Sequence, residues 1–441
     1  MFYIIESEDQ LDWLKNQAHQ GGYVDIISTN DSYHPFLSST VAVYIKPTQS
    51  DQGYIIPINH DEGLNVDKER IYHILKLFTP LYTVNKKDLL YHLNLQEAID
   101  LSLLYSMSKY DRLQISDSSS TVNWYYSRHG ENKNLNTLIP LTKLYERSEN
   151  IYHSVRKAIE LPIPSGFDFY NKTATNVFFL IEQSGLGIYH KPFVETFKPR
   201  NSLYNIVDNR VLTSYNLYNA TSRPTNSFNS INFAAIPHTP EHRRAFKPQN
   251  DYFVEFDFDG YHLRLLCDQI GYALTEESAH KQLAKHYFGT EDITEEQYIQ
   301  AKQINFQAIY GKIPEEHRNL EIFKLVQEYI DNMWSVFKEV GEVCNPQSGK
   351  PFTQGLKDMN PAKLMNYMMQ SLETSNNILI LKEVLKYLKD KKTFITLYTY
   401  DAILFDFSKE DGKEVLETIK ELMESGGKYP VKFKYSNSLV L

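Results

Sequence analysis

Two strand-like apolar runs, each carrying one aspartate, constrain this chain more than any other feature. FDFDGYHLRLL at residues 256–266 holds Asp257, and LYTYDAILFD at 397–406 holds Asp401. Between them KQINFQAIYG, at 302–311, spaces Lys302, Phe306 and Tyr310 four residues apart. The segment from Thr294 to Ile309 has helical periodicity, and on a helix positions i, i+4 and i+8 lie along one drifting stripe. Two acids on separate strands and a helix bearing a cation and two aromatics are the parts of a nucleotidyl-transfer site. Such chemistry uses two divalent cations about 4 Å apart, one activating a hydroxyl and one neutralising the polyphosphate, so carboxylates must converge on them. Taken singly, each aspartate is equally an ordinary strand-end residue. The stripe is equally a core face, although a lysine at its start suits a core poorly.

With 441 residues, 42% hydrophobic and 23% charged, the chain has globular composition and length for two or three domains with proper cores. Its 32 Tyr and 24 Phe suit base stacking and equally fill cores. No run approaches the ~20 apolar residues of a membrane span. The start, MFYIIESEDQLDW, turns acidic before a signal-peptide core could form. The expectation is a soluble, cytoplasmic protein with no membrane partner. Cys267 and Cys344 have neither zinc-ligand spacing nor the density of a disulfide framework, which predicts reduced, structural thiols. A net charge of −9 argues against a uniformly basic surface for nucleic acid, so any such contact must be local. His242, Arg243, Arg244 and Lys247 form one candidate patch, or a solvated face.

Residues 1 to about 110 read as α/β, with strands at Tyr23 to Ile27, Thr40 to Ile45 and Tyr54 to Ile58 and a helix from Lys68. The polar stretch Ser116 to Asn136 reads as a loop. A helix over Leu141 to Ile159 is broken by Pro162 and Pro164. From Ala174, ATNVFFLIEQSGLGIYH has helical spacing and a stop at Gly185 and Gly187.

In their order, the three segments resemble motifs A, B and C of the family A DNA polymerases, which include bacterial DNA polymerase I and phage-type replicative enzymes. The resemblance implies a multidomain α/β and α+β protein. A ribonuclease H-like domain of the 3′–5′ exonuclease type would occupy 1–160, and a connecting helix with a thumb stub 161–222. A palm on an antiparallel sheet with helical fingers would fill 223–441, the fingers spanning about 272–345. It implies Asp257 and Asp401 as catalytic metal ligands, with the Phe258 carbonyl added, and two Mg2+ ions for which Mn2+ could substitute. Lys302 would meet the triphosphate, Phe306 the incoming base or sugar, and His280 the β-phosphate, while Tyr310 and Gly311 form the hinge by which fingers close. NATSRPTNSFNSINFAAIP, at 219–237, is similar to the segment that meets the primer terminus. Its Arg223 and Asn232, with Arg264, Asn366, Gln370 and Tyr400, would touch primer and template. Arg264 reads equally well as a buried ion pair. The implied partners are primer-template DNA and dNTPs.

Several positions depart from the family pattern. The glutamate that usually gates against ribonucleotides, five residues after the first aspartate, is His262, which can still crowd a 2′-hydroxyl and bond to Tyr310. The arginine four residues before Lys302 is Tyr298, and the glutamate after Asp401 is Ala402. QGYIIPINHDE and VNKKDLLYHL match the exonuclease sheet and its second acidic motif. The Asp-x-Glu of the first strand aligns on Ile27, Ser28 and Thr29, leaving Asp88 and a distant echo in Tyr145 and Glu149. That predicts a degenerate domain without proofreading. Residues 190 to 222 are too few for a long helical thumb, which predicts dependence on a partner protein for grip or short distributive synthesis. Two other readings compete: a single-subunit RNA polymerase, opposed by the exonuclease-like start and the 219–237 segment, and a catalytically silent replication scaffold, opposed by the retained aspartates, Lys302 and Tyr310-Gly311.

Overall fold

Continuous apolar runs near the N-terminus form a six-stranded mixed sheet. In the computed structural model, which describes residues 2–29, 34–117, 135–198, 206–225, 231–275, 277–310 and 312–441, β1 spans Phe2–Ile4, β2 Gly22–Ser28, β3 Thr40–Pro47, β4 Gly53–Pro57, β5 Leu81–Thr83 and β6 Ile99–Asp100. The order is β1-β4-β3-β2-β5-β6. β2, β3 and β4 make an antiparallel meander, and the outer strands join it in parallel. β3 is buried along its whole length, which is why TVAVYIKP reads as a run rather than an alternation.

Helices α1 (Glu8–Asn16), α2 (Lys68–Leu75) and α3 (Lys86–Leu93) cover one face, where Leu11, Leu14, Ile71, Ile74 and Leu89 form a closed core with Val24, Val43 and Ile56. The other face meets α4 (Leu101–Lys109) and α5 (Leu141–Ile159). α5 buries Leu144, Ser148, Ile151, Val155 and Ala158, the 4-3-4-3 spacing of one helical face. From Tyr23 and Tyr44 the apolar core runs without a break into the second half of the chain.

That half is built on a four-stranded antiparallel sheet, outside which lie the short strands β7 (Leu186–Gly187), β8 (Ile206–Val207) and β9 (Arg210–Val211) and the pair β11 (Glu342–Cys344) and β12 (Pro351–Thr353). β10 (Tyr252–Phe258) lies between β14 (Ala402–Phe407) and β15 (Val431–Ser436), with β13 (Phe394–Thr399) at the far edge. Between the two sheets come α6 (Thr175–Glu182), preceded by a π-helical turn, and α7 (His190–Phe197). Among the described residues from 190 to 251, the eight-residue α7 is the longest helix, followed by short strands and a four-residue turn at Pro240–Arg243.

After β10, Gly260 turns the chain at φ 60 into α8 (Tyr261–Ile270). A Cβ there would lie 3.3 Å from Ala279 Cβ and 3.6 Å from His280 Nε2, so this corner packs directly on α9 (Ala279–Phe288). α10 (Glu295–Ile309) begins at a capping box formed by Thr294 and Gln297, and α11 (Glu321–Val340) completes the helical layer. The 28-residue α12 (Pro361–Leu388) runs behind the four-stranded sheet, and α13 (Glu414–Glu424) precedes β15. Most of the expected loop at 116–136 lies outside the described residues. Both cysteines are free, Cys267 buried and Cys344 exposed. Among the described residues no helix is long and apolar enough to cross a membrane.

Candidate active site

Strand register brings the two aspartates together. Asp257 pairs with Ala402 across β10 and β14, and the Phe258 amide donates to the Asp401 carbonyl at 3.0 Å. Asp401 and Tyr400 form the two-residue turn between Thr399 and Ala402, with Tyr400 at φ 69. A tight hairpin asks for positive φ, and an aromatic residue tolerates it poorly, so the turn must be held from outside. The Asn377 amide of α12 donates to the Tyr400 carbonyl at 2.8 Å and to Tyr398 Oη at 2.9 Å, and accepts from Tyr261 Oη at 2.6 Å. Tyr261 in turn stacks on Phe258 with centroids 4.1 Å apart. The Phe258 side chain is thereby buried, leaving only its main chain for any contact at the site.

Burial, followed by neighbouring negative charge, governs the electrostatics. Burial, the Asp401 carboxylate and Glu255 push the Asp257 carboxyl up to about 6. Asp401 is raised by the surrounding protein and then by Glu373. A divalent cation between the carboxylates would relieve this repulsion, and an all-oxygen donor set suits a hard ion. Among the described residues no group of three or more His, Cys, Asp or Glu is arranged to hold a metal. The chain thus offers two carboxylates and a main-chain carbonyl, a sparse set of the kind Mg2+ takes while keeping water and phosphate oxygens.

Beside the hairpin lies a polar network centred on Glu373, a residue of α12 that is only 1% exposed. Its carboxylate lies 2.9 Å from Arg223 Nε and 3.2 Å from His262 Nε2. His262 Nδ1 meets Tyr310 Oη at 3.0 Å, and the Arg223 guanidinium sits 3.7 Å above the centre of the Tyr400 ring. Five residues from five separate segments are joined in one chain of contacts. Ser222, next to Arg223, also holds positive φ, at 54, and its hydroxyl accepts from the buried Lys350. Two non-glycine residues in this sparsely populated region thus flank the Arg223-Tyr400 stack.

The other expected site residues fall into separate groups. On α10, Lys302 is exposed and Phe306 is 60% exposed, so this stripe is not core packing. Phe306 meets Tyr310 edge-on at 5.1 Å. His280 is half-buried, bonded to Asn305 at 3.0 Å, and lowered to about 4 by burial against only partial compensation from Asp259. Asn366 and Gln370 bond to each other at 2.9 Å on the same face of α12 as Glu373 and Asn377. Asn232 is exposed beside residues outside the description, and Gly311 lies outside the described residues. Arg264 departs from the expected primer contact. It is 4% exposed, and its guanidinium donates to the carbonyls of Asp259, Thr275 and Glu277 at 2.8–3.0 Å, fixing the corner between β10 and α9. In the basic patch, Arg243 donates to the Leu439 carbonyl and Lys247 lies over the Tyr189 ring.

In the N-terminal sheet, Asp88 is pushed up to about 7 by burial and by Asp25 and Asp100. Asp25 on β2 lies two residues before the position the sequence alignment marked, and it accepts from the Ser148 hydroxyl at 2.6 Å. Glu149 is held by Lys46 at 2.7 Å and by the Tyr44 hydroxyl.

No family model matches the chain, and no curated protein matches its sequence. In three dimensions it is similar to a solved structure of the POL domain of Pol1 from M. smegmatis in complex with DNA primer-template and dNTP. The TM-score is 0.71 at 13% identity, over 100% of this chain and 99% of that one. At that identity the likeness is one of architecture: the whole chain has the fold of a polymerase domain.

Proposed function

We propose that the chain is a template-directed DNA polymerase of the family A type, adding dNTPs to a primer 3′-hydroxyl with two divalent ions, Mg2+ in the first place. The observation that carries this reading is the juxtaposition of Asp257 and Asp401 at the end of the β10–β14 ladder, both carboxyls raised first by burial and then by neighbouring carboxylates. When bound, the ions would lower the pKa of the primer hydroxyl and neutralise the triphosphate. Asp257, Asp401 and the Phe258 carbonyl would hold them. Lys302 then meets the triphosphate and Phe306 the base, with His280 kept neutral as a hydrogen-bonding partner. His262, braced by Glu373 and bonded to Tyr310, walls the space beside the sugar. Arg223, stacked on Tyr400, and Asn232 would meet the primer end or the minor groove, with Asn366 and Gln370 facing template and primer.

The N-terminal sheet, a meander extended by parallel strands, supports the exonuclease-like reading of 1–160. Its acids support the loss of proofreading: Glu149 is neutralised by Lys46, and Asp25 is bonded to a serine hydroxyl. The short elements between 190 and 251 support a reduced thumb, and with it a partner protein or distributive synthesis.

Primer extension with Mg2+ and either dNTPs or rNTPs, on the parent chain and on Asp401→Ala, tests the core of the reading. Extension by the parent with dNTPs and its loss in the variant are expected. Equal efficiency with rNTPs would sink the sugar preference, and promoter-dependent RNA synthesis would favour the RNA polymerase reading. A parent that never extends a primer would leave the scaffold. Long products under single-hit conditions would refute the need for a partner.

A further inference from the structure

We propose that Lys432 is a polyphosphate-binding residue of the nucleotide site, held in reserve by Asp259 until the triphosphate of the incoming nucleotide draws it away. The proposal rests on the polymerase reading and extends it to a residue on the last strand. β15 runs antiparallel to β10 with Lys432 opposite Asp257 and Lys434 opposite Glu255. Directly opposed residues share one face of the sheet, with Cβ atoms about 4.5–5.5 Å apart. Lys432 is therefore a cross-strand neighbour of the carboxylate proposed to hold metal. Lys432 also interacts electrostatically with Tyr298 of α10, the helix that carries Lys302, and with His280 of α9.

The pairing of Lys432 is lopsided. Its side chain is 66% exposed, whereas Asp259, whose carboxylate it contacts, is buried. Asp259 also has the Arg264 guanidinium 3.9 Å away and the amide at the start of α9. Release of Lys432 would leave Asp259 with that amide and the more distant guanidinium, its Oδ2 without a hydrogen-bond partner, so the lysine turns away only toward a stronger anion. A cavity of about 290 Å³ beside the pair is lined by Lys420, Lys432 and Ser278 and also by the Asp259 and Glu424 carboxylates, so a phosphate group would enter it only with both lysines turned toward it. The Ser278 hydroxyl there is buried without a partner. On a face that already carries Glu255, Asp257 and Asp401, a tetra-anionic ligand needs such a cation.

Single-nucleotide incorporation by the full chain on a primer-template decides the matter. Lys432→Met keeps the aliphatic stem and removes the charge. It should raise the dNTP KM about 10- to 100-fold, the loss expected for one charge-assisted contact, while primer-template affinity stays within about twofold. Asp259→Asn, which frees the lysine, should lower the KM, and Lys432→Arg should restore it. An unchanged KM in Lys432→Met, or a parallel loss of DNA affinity, overturns the proposal, the latter by assigning the charge to the DNA backbone. If the parent does not incorporate nucleotide at all, the polymerase reading fails separately. Calorimetric titration of dATP and Mg2+ into parent and Lys432→Met then reads the cation site alone, and equal affinities overturn it.

Discussion

Replacing Asp257 by Asn should make the metal-free protein more stable while abolishing catalysis. The Asp257 carboxyl is raised from 3.8 to about 6 by burial, Asp401 and Glu255, so the folded state holds its proton more tightly than the unfolded chain does. For a carboxyl raised on folding, no penalty exists below the unfolded value, where both states are protonated. The penalty grows between pH 4 and 6 and is complete above. At about 1.4 kcal/mol per unit, two units correspond to roughly 3 kcal/mol. Partial exposure and the nearby Lys432 and Lys434 bring the expectation to about 1.5–3 kcal/mol. Urea denaturation in EDTA should show Asp257→Asn more stable than the parent by that amount at pH 8 and indistinguishable from it at pH 4. Adding Mg2+ should reverse the order by stabilising only the parent, since a ligand stabilises the state that binds it. A variant equally affected at both pH values, or destabilised at pH 8, would refute the claim that crowded charge rather than packing defines the site.

Three further outcomes follow from particular contacts. Glu373→Gln keeps shape but removes the charge 2.9 Å from Arg223 and 3.2 Å from His262, and should cost about 1.5–3 kcal/mol in urea denaturation and weaken dNTP-over-rNTP selectivity; no change in either measurement would show the network to be inert. His262→Ala should raise ribonucleotide incorporation at least tenfold relative to deoxynucleotide, because it opens the space beside Tyr310; unchanged selectivity would place the sugar gate elsewhere. Lys350 is buried, lowered to about 7 by desolvation, and bonded to a serine hydroxyl, so the cost of its charge is largest below pH 7 and fades toward pH 10. Lys350→Met should therefore stabilise by about 1–3 kcal/mol at pH 6 and progressively less as pH rises, measured by thermal melts across that range.

The elements most legible in the sequence were those whose pattern has one physical cause. α5 shows because one face is buried, giving apolar spacing over Leu141 to Ile159. α10 shows because its periodicity runs from Thr294 to Ile309; the structure opens it with a capping box and leaves Lys302 and Phe306 exposed. β3 and β4 show because both faces are buried. Arg264 was ambiguous for an equally physical reason. A guanidinium can reach DNA or saturate backbone carbonyls, and only the tertiary position of Thr275 and Glu277 decides between them.

Of one polar stripe at the site the motifs reached Asn366 and Gln370 but not Glu373 and Asn377, although the stripe had a signal. Asn366, Gln370, Glu373 and Asn377 recur at intervals of four, three and four, a polar face on a helix otherwise rich in Met, Leu and Ile. On an amphipathic surface helix that face would meet water. On α12 Glu373 and Asn377 are buried, so each polar group must find a partner, and the partners are the hairpin turn, Tyr261, His262 and Arg223. The sequence comparison scored His262 as a carboxylate lost. In space a carboxylate stands 3.2 Å from that histidine, contributed by α12. The position of His262 therefore still has a carboxylate beside it, supplied by α12. Motif-by-motif comparison cannot see such a neighbour, since the two positions lie 111 residues apart and each is read only against its own segment. A buried polar stripe on a long apolar helix is therefore the place to look for a site residue that a motif has lost.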